Sequence, residues 1–301
     1  MTTNTNIDPA IRTTTSRPDV LVDLDWARAR LDDPKVRFLE VDVDTSAYDT
    51  GHLPGAVPVN WTTQLTDSVR RDLAGRDDLE ELLREAGIDD DTLIVLYGDN
   101  NNWFAAWAYW QLRYHGLDKV RLLDGGRKKV EAEGLQLTTH PAGHPRGSIR
   151  VPQGTREELR AYRDDVLRAV GDGGGTRSPV STGLVDVRSP EEYRGELAAP
   201  AHLPQEAAQR KGHIPGAVNI PWGQAVAEDG TFKAPEELSR LYADKDIRPD
   251  REVIAYCRIG ERSSHTWFVL HELLGYPSVR NYDGSWTEYG SLVGVPIETG
   301  G

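Results

Sequence analysis

The sequence predicts an α/β fold made of two tandem domains, each a parallel sheet flanked by helices. Its 301 residues suffice for two domains of about 150 residues each. Short apolar runs alternate with amphipathic stretches of helical periodicity, which is the pattern of parallel strands that are buried on both faces and joined by helices. A long internal repeat indicates a duplicated domain, since its period is too long for a solenoid.

The repeat is clearest in a heptapeptide that occurs twice. Residues 51–57 read GHLPGAV, and residues 212–218 read GHIPGAV. Residues 97–125 align with residues 256–284 at a constant offset of 159. Between residues 186 and 212 the second copy carries an insertion of 17 residues relative to the first. We therefore expect the two copies to share one fold.

Each copy is predicted to contain short buried strands followed by amphipathic helices. One strand precedes the heptapeptide, and a second strand follows it. The predicted strands are residues 41–43, 93–97, 185–187 and 252–256, and the predicted helices are residues 80–87, 157–170, 235–243 and 266–274.

Composition suggests where the domains begin and end. Residues 1–20 are rich in threonine and lack the apolar stretch of a secretory signal, so we expect a disordered tail. The first domain is expected to span residues 21–137, a linker containing proline and glycine residues 138–150, and the second domain residues 151–301. Residues 171–175 are rich in glycine but lack the GK[ST] of a phosphate-binding loop, so we predict a flexible surface loop.

Charge and cysteine content exclude several classes of protein. The 35 basic and 48 acidic residues leave a net charge of −13, which argues against a nucleic-acid or membrane-surface binder. No apolar run approaches the ~20 residues of a membrane-spanning helix. The single cysteine, Cys257, excludes an intrachain disulfide and a thiolate-rich metal site, and His140 and His144 lie in the linker without other ligands nearby. We expect a cytoplasmic enzyme with no metal and no cofactor.

Cys257 lies where open α/β sheets place their ligand crevices, at the carboxyl end of a predicted strand. Backbone N–H groups in the loop that follows can converge on an anion, and a helix N-terminus reinforces them. Arg258 and Arg262 add two cations. These effects predict a thiol pKa well below the ordinary value of about 8.5, with no need for a histidine base.

The first copy is an internal control for this loop. A free cysteine in a parallel strand is usually inert core, but Cys257 is followed at once by charged residues and a glycine. At the same place, residues 98–103 of the first copy read GDNNNW, with neither thiol nor arginine. We therefore expect a catalytic second copy and a first copy that keeps the fold only.

These residues together resemble the two-domain rhodanese sulfurtransferases, and most closely the thiosulfate sulfurtransferases with a CRxGxR active-site loop. Residues 48–56 match the N-terminal signature of that family, residues 257–262 match the loop, and residues 279–289 match the C-terminal signature. The resemblance extends from about residue 21 to residue 297. It implies tandem rhodanese domains, of which only the second carries the catalytic cysteine.

The resemblance also implies a mechanism. The Cys257 thiolate attacks the outer sulfur of thiosulfate, sulfite leaves, and a persulfide remains until cyanide or a cellular thiol collects the sulfur. Loop amides hold the transferred sulfur, and the arginines attract the dianion. The expected substrate-binding residues are Arg258, Ile259, Gly260, Glu261, Arg262, Ser263 and Arg188.

Several polar residues outside the loop have two interpretations. Arg188 aligns with a family arginine at the mouth of the pocket, or else forms a surface salt bridge to Glu191 or Glu192. Asp186 and His213 have counterparts in the cysteine-free copy, so we interpret them as structural, tying the heptapeptide turn to the preceding strand.

Three other functions remain as alternatives. A 3-mercaptopyruvate sulfurtransferase is the first, although family members of that kind tend to carry small uncharged residues at the two arginine positions. Phosphatases related to rhodanese have a Cys-x5-Arg loop, whereas Cys257 to Arg262 is Cys-x4-Arg. A non-catalytic binding module suits the first copy and predicts a degenerate second loop, which this chain does not have.

Overall fold

The structure is a computed structural model that describes residues 19–171, 182–199 and 208–300. Residues 1–18 of the predicted tail, most of the predicted glycine-rich loop and part of the insertion lie outside the described residues. Among those described, no helix combines the length and apolar character that crossing a membrane requires.

The first domain is built on a five-stranded parallel sheet with the strand order β1-β7-β6-β2-β3, beside a short antiparallel hairpin of β4 and β5. Its strands are β1 (Leu21–Val22), β2 (Val36–Glu40), β3 (Val57–Pro58), β4 (Thr66–Asp67), β5 (Asp72–Leu73), β6 (Leu93–Tyr97) and β7 (Val120–Leu123). Its helices are α1 (Leu24–Arg28), α2 (Ala47–Thr50), α3 (Trp61–Gln64), α4 (Arg76–Glu85), α5 (Asp99–Tyr114) and α6 (Gly126–Ala132).

The second domain repeats this architecture with the order β10-β9-β11-β12-β8, again all parallel. Its strands are β8 (Arg160–Ala161), β9 (Gly183–Asp186), β10 (Val218–Asn219), β11 (Val253–Tyr256) and β12 (Val279–Tyr282). Its helices are α7 (Arg163–Val170), α8 (Pro190–Tyr193), α9 (Pro235–Ala243), α10 (Glu261–Trp267) and α11 (Ser285–Tyr289), with 3₁₀ turns at Glu157–Leu159 and Trp222–Ala225 and a π-helix at Phe268–Leu273.

Both sheets place corresponding strands in the same order, so the predicted α/β fold with two parallel sheets flanked by helices is confirmed. The central strands β6 and β11 are almost wholly buried, as strands covered on both faces must be. Each central strand ends at the loop that the sequence singled out, residues 98–103 in one domain and residues 257–262 in the other.

Three predicted elements differ from the structure. The helix predicted at residues 157–170 is a 3₁₀ turn, edge strand β8 and then α7, because Arg160 and Ala161 pair with β12. The strand predicted at residues 41–43 ends earlier, at Glu40, and the Asp42 carboxylate beyond it accepts a hydrogen bond from Asp99 N. The helix predicted to start near Thr266 already begins at Glu261 and turns into a π-helix at Phe268.

The domains share one apolar core in which α5 of the first packs against α10 of the second. The Tyr109 ring meets Phe268 edge-on at 4.9 Å and lies 6.4 Å from Trp267. Cys257 belongs to the same cluster. The helix that follows the cysteine loop is therefore buried against the cysteine-free domain.

Candidate active site

The cysteine loop lies at the carboxyl end of β11, the middle strand of its sheet. Gly260 closes the loop with a left-handed backbone (φ 95°), and a Cβ atom there would lie 2.5 Å from the Cα of Asp283, so only glycine fits. Gly260 N donates a hydrogen bond to Cys257 Sγ at 3.1 Å. The helix α10 begins at the next residue.

The start of α11 forms the floor of the loop. Cys257 N donates to Ser285 Oγ at 3.0 Å, and Ser285 Oγ donates to Tyr282 O at 2.6 Å. Trp286 N donates to Cys257 O at 3.0 Å. Ser285 has a left-handed backbone (φ 52°), a conformation that costs a non-glycine residue about 1–3 kcal/mol and that these bonds maintain. Sequence reasoning missed this serine, although it lies inside the C-terminal signature.

The thiol is fully buried and lies beside a carboxylate. Cys257 Sγ donates to Glu261 Oε2 at 3.1 Å, and Ile259 N donates to the same oxygen at 3.2 Å. Burial and then the negative charge of Glu261 raise the pKa of the Cys257 thiol, and the opposing influence of Arg262 and Ser263 N is smaller. The prediction of a lowered pKa is therefore wrong for this structure, because sequence shows neither the burial nor the position of the Glu261 carboxylate.

The guanidinium of Arg262 is paired with a buried carboxylate. Its Nη1 and Nη2 donate to the two oxygens of Glu192 at 2.8 and 3.1 Å, a bidentate pair in which both side chains are nearly inaccessible. Burial raises the pKa of Glu192, but the hydrogen bonds and charge of Arg262 outweigh it and leave that pKa below its ordinary value. The charge of Arg262 is thus already balanced, which the sequence did not predict.

The remaining loop residues differ in exposure. Arg258 is buried, and its carbonyl oxygen accepts a hydrogen bond from Thr287 N at 3.0 Å. Ile259 is half-buried, whereas Ser263 is buried and donates to Asn281 Oδ1 at 2.6 Å. The predicted loop residues therefore surround Cys257, and the side chain of Ser263 points towards β12.

Arg188 differs from both of its interpretations. Its guanidinium is fully buried and donates to the Asp186 carboxylate, with Nη2 2.6 Å from Oδ2. The same Nη2 donates to Gly212 O at 2.7 Å. His213 stacks on Tyr193 and contacts its carbonyl oxygen at 2.7 Å. Arg188 thus joins the heptapeptide turn to β9 and lies neither at a pocket mouth nor in a surface salt bridge.

Comparison with known proteins identifies the family to which this chain belongs. The family described as Rhodanese-like domain matches the chain twice, over residues 23–133 and 163–292. A protein of Mycolicibacterium smegmatis that carries the name "Putative thiosulfate sulfurtransferase" is 55% identical over 95% of this chain and 99% of its own length. Sulfur carrier protein TtuD of Thermus thermophilus is 54% identical over 95% of this chain and 98% of its own length.

Among solved structures, SseA from Escherichia coli, described in connection with 3-mercaptopyruvate sulfotransferases, has a TM-score of 0.74 at 26% identity and covers 88% of this chain and 98% of its own. The family matches cover four of the five strands of each parallel sheet, and the cysteine loop lies in the second match. This chain belongs to the rhodanese family and is a sulfurtransferase with two rhodanese-like domains.

Proposed function

We propose that this enzyme transfers the outer sulfur of thiosulfate to a thiophilic acceptor, such as cyanide or a cellular thiol, through a persulfide on Cys257. The observation that carries the proposal is the position of Cys257 at the carboxyl end of the central strand, with Gly260 N 3.1 Å from its sulfur. Sγ forms a bond to the outer sulfur, the S–S bond of thiosulfate breaks, and sulfite leaves with the bonding electron pair.

The two loop arginines support thiosulfate as the donor. Arg258 and Arg262 stand at the two loop positions where family members specialised for 3-mercaptopyruvate tend to carry small uncharged residues, although Arg262 is here paired with Glu192. The relative from M. smegmatis bears a thiosulfate sulfurtransferase name, which favours the same donor. The resemblance to SseA, 26% identical, keeps 3-mercaptopyruvate as the second candidate.

The spacing of the loop argues against phosphoryl chemistry. Four residues separate Cys257 from Arg262, one fewer than in the phosphatases that resemble rhodanese. We also propose a cytoplasmic location, since a single reactive thiol that must stay reduced suits a compartment where thiols are kept reduced.

The test is sulfur transfer to cyanide, measured as thiocyanate formed, with thiosulfate and 3-mercaptopyruvate as donors. We expect thiosulfate to give the higher kcat/KM and the protein mass to increase by one sulfur atom after thiosulfate treatment, reversibly with cyanide. Cys257→Ser, checked for folding by circular dichroism, is the control. Turnover by that variant would overturn the mechanism, and a preference for mercaptopyruvate would overturn the donor.

A further inference from the structure

We propose that Glu261 is the proton acceptor that converts the buried Cys257 thiol into the attacking thiolate. The proposal rests on the proposed persulfide function and deepens it, because it assigns the proton that the thiol must lose. The sequence placed Glu261 among the substrate-binding residues of the loop, and its side chain instead points at the nucleophile.

The geometry suits proton transfer. Glu261 Oε2 lies 3.1 Å from Cys257 Sγ and is held there by Ile259 N at 3.2 Å. The other carboxylate oxygen, Oε1, is buried and has no hydrogen-bond partner among the described residues. Both residues are fully buried, so bulk water does not compete for the thiol proton. A carboxylate on the first turn of α10 is thus aimed at the only thiol of the chain.

The charged groups around the pair are held in fixed positions. Arg262 Nε lies 3.9 Å from Glu261 Oε1, and both Nη atoms of Arg262 are bound to Glu192 on α8. Arg258 lies in the same loop, and the backbone of Asp283 packs against Gly260. The charge of Arg262 is already neutralised by a carboxylate other than Glu261. Glu261 is therefore left without a hydrogen bond from Arg262.

The cysteine-free domain supplies a natural comparison. Asn102 occupies the position equivalent to Glu261, where its Oδ1 accepts from Gly98 N at 3.0 Å and its Nδ2 donates to Leu123 O at 2.6 Å. An uncharged amide is thus enough to hold this loop when no thiol is present. A buried carboxylate costs free energy that an amide avoids. The carboxylate occurs in the copy that has the thiol to deprotonate.

The proton balance closes over both half-reactions. In the donor step the thiol proton passes to Glu261, Sγ bonds to the outer sulfur of thiosulfate, and sulfite leaves as its dianion, so that a persulfide anion and a neutral Glu261 remain. In the acceptor step cyanide bonds to the outer sulfur and the Sγ–S bond breaks with its electron pair on Sγ. Glu261 then returns the proton to the Cys257 thiolate, and thiocyanate leaves.

Glu261→Gln separates this role from a purely structural one. The amide keeps the size of the side chain and accepts from Ile259 N but cannot take a proton. Persulfide formation is followed in a single turnover by rapid quench and intact mass. We expect the rate at neutral pH to fall by about 10²–10⁴-fold and to recover as pH rises, because a growing fraction of the thiol is then ionised without the carboxylate. Glu272→Gln, the same change at another buried carboxylate in the π-helix after α10, is expected to keep the wild-type rate and pH profile.

Failure of the Glu261 proposal and failure of the proposed function give different results. If the thiolate were already formed, removing the negative neighbour would leave the rate unchanged or raise it, and either result would overturn the proposal. A wild-type protein that gains no sulfur from thiosulfate would instead overturn the proposed function.

If Glu261→Gln fails to fold, Glu261→Asp is expected to retain the wild-type shape of the pH profile at a lower rate. Infrared difference spectra of the wild type give a further measurement that needs no variant. A new protonated-carboxyl band should appear on persulfide formation, and its absence would contradict the proton transfer.

Discussion

The two loops that follow the central strands differ in what fills the space beneath the backbone. In the second domain, Cys257 N is bound by the hydroxyl of Ser285, whose backbone φ is 52°. In the first domain the equivalent residue is Gly126, with a φ of 54°, and the equivalent amide, Gly98 N, is bound by Asn102 instead. A Cβ atom on Gly126 would overlap Asn102 Oδ1. The two domains thus have a similar backbone at this position, but the side chain that binds the amide in one domain could not be accommodated in the other.

The conformation of the two loops differs as well. Three consecutive asparagines, residues 100–102, have left-handed backbones with φ of 43°, 57° and 63°, whereas in the second loop only Gly260 does. Asparagine tolerates this conformation better than most residues. The loop of the first domain therefore has a different backbone conformation and is not simply the cysteine loop without its thiol.

The first loop is also covered by the second domain. Phe232 N donates to the Asp124 carboxylate at 2.9 Å, and Lys129 pairs with Asp229 at 2.8 Å. Gly230 lies against Asn101 and Gly125 O. The first loop is thus part of a contact surface between the domains, so we expect that a cysteine introduced there would not create a site.

The largest expected effect tests whether a cysteine in the first loop can replace Cys257. Cys257→Ser should lower sulfur transfer by at least about 10³-fold, since the nucleophile is lost. In that background Gly98→Cys should restore nothing and should lower the melting temperature, because a Cβ atom at Gly98 would overlap Val41 O. Thiocyanate formation and thermal melts measure both effects. Sulfur loading on the thiol introduced into the first loop would contradict the comparison.

The next largest effect is expected at Arg262, which is paired with Glu192. Its counterpart in the first domain, Trp103, is apolar and has no need of an ionic partner. Arg262→Ala leaves Glu192 charged, buried and unpaired, so we expect a loss of about 3–5 kcal/mol in the free energy of unfolding. The double variant with Glu192→Gln should recover part of it. Urea denaturation measures both variants, and a wild-type midpoint for Arg262→Ala would show that the pair contributes little.

Asp124 lies next to the first loop and accepts a hydrogen bond from Phe232 N of the second domain. We expect this carboxylate to make the free energy of unfolding depend on pH. Burial raises its pKa to about 6 from an ordinary value of 3.8, so the folded state binds a proton more tightly than the unfolded state. The stability that this group contributes is fully present below about pH 4 and is lost as pH rises through 6. Asp124→Asn should therefore stabilise the protein at pH 8, by at most about 3 kcal/mol. The gain should disappear at pH 4, and a gain that is equal at both pH values would rule out this cause.

The smallest expected effect comes from exchanging the residues beneath the loops. Gly126→Ser should cost about 2 kcal/mol through overlap with Asn102. Ser285→Gly should cost only about 1 kcal/mol, because the lost hydrogen bonds are partly offset by release of backbone strain. Chemical denaturation measures both. Equal costs would show that the two loop floors are interchangeable after all.

The repeat, the parallel sheets and the place of Cys257 at a strand end could be predicted, because periodicity and spacing are local properties of the sequence. The pairing of Arg262 with Glu192 could not, since 70 residues separate the partners and spacing does not show which helix faces the loop. The sequence suggests Glu192 only as a surface partner for Arg188, which is itself buried against Asp186.

The pKa of the Cys257 thiol is raised, whereas the sequence predicts a lowered pKa. Arginines and a helix N-terminus are visible in the sequence, whereas burial and the rotamer of Glu261 are not, and these two dominate. The edge strand at Arg160 was missed for a related reason. Its helical periodicity is genuine, but pairing with β12 and ion pairs to Asp283 and Asp72 determine the local conformation.

The packing of α5 on α10 makes the stability of the second domain depend on the first. Tyr109 covers Phe268 and Trp267, so deleting the cysteine-free domain would expose large apolar side chains of the second domain to water. We therefore expect that the second domain without the cysteine-free domain would be poorly soluble. The loop of the first domain can therefore vary in sequence, whereas the face of α5 that packs on α10 must stay apolar.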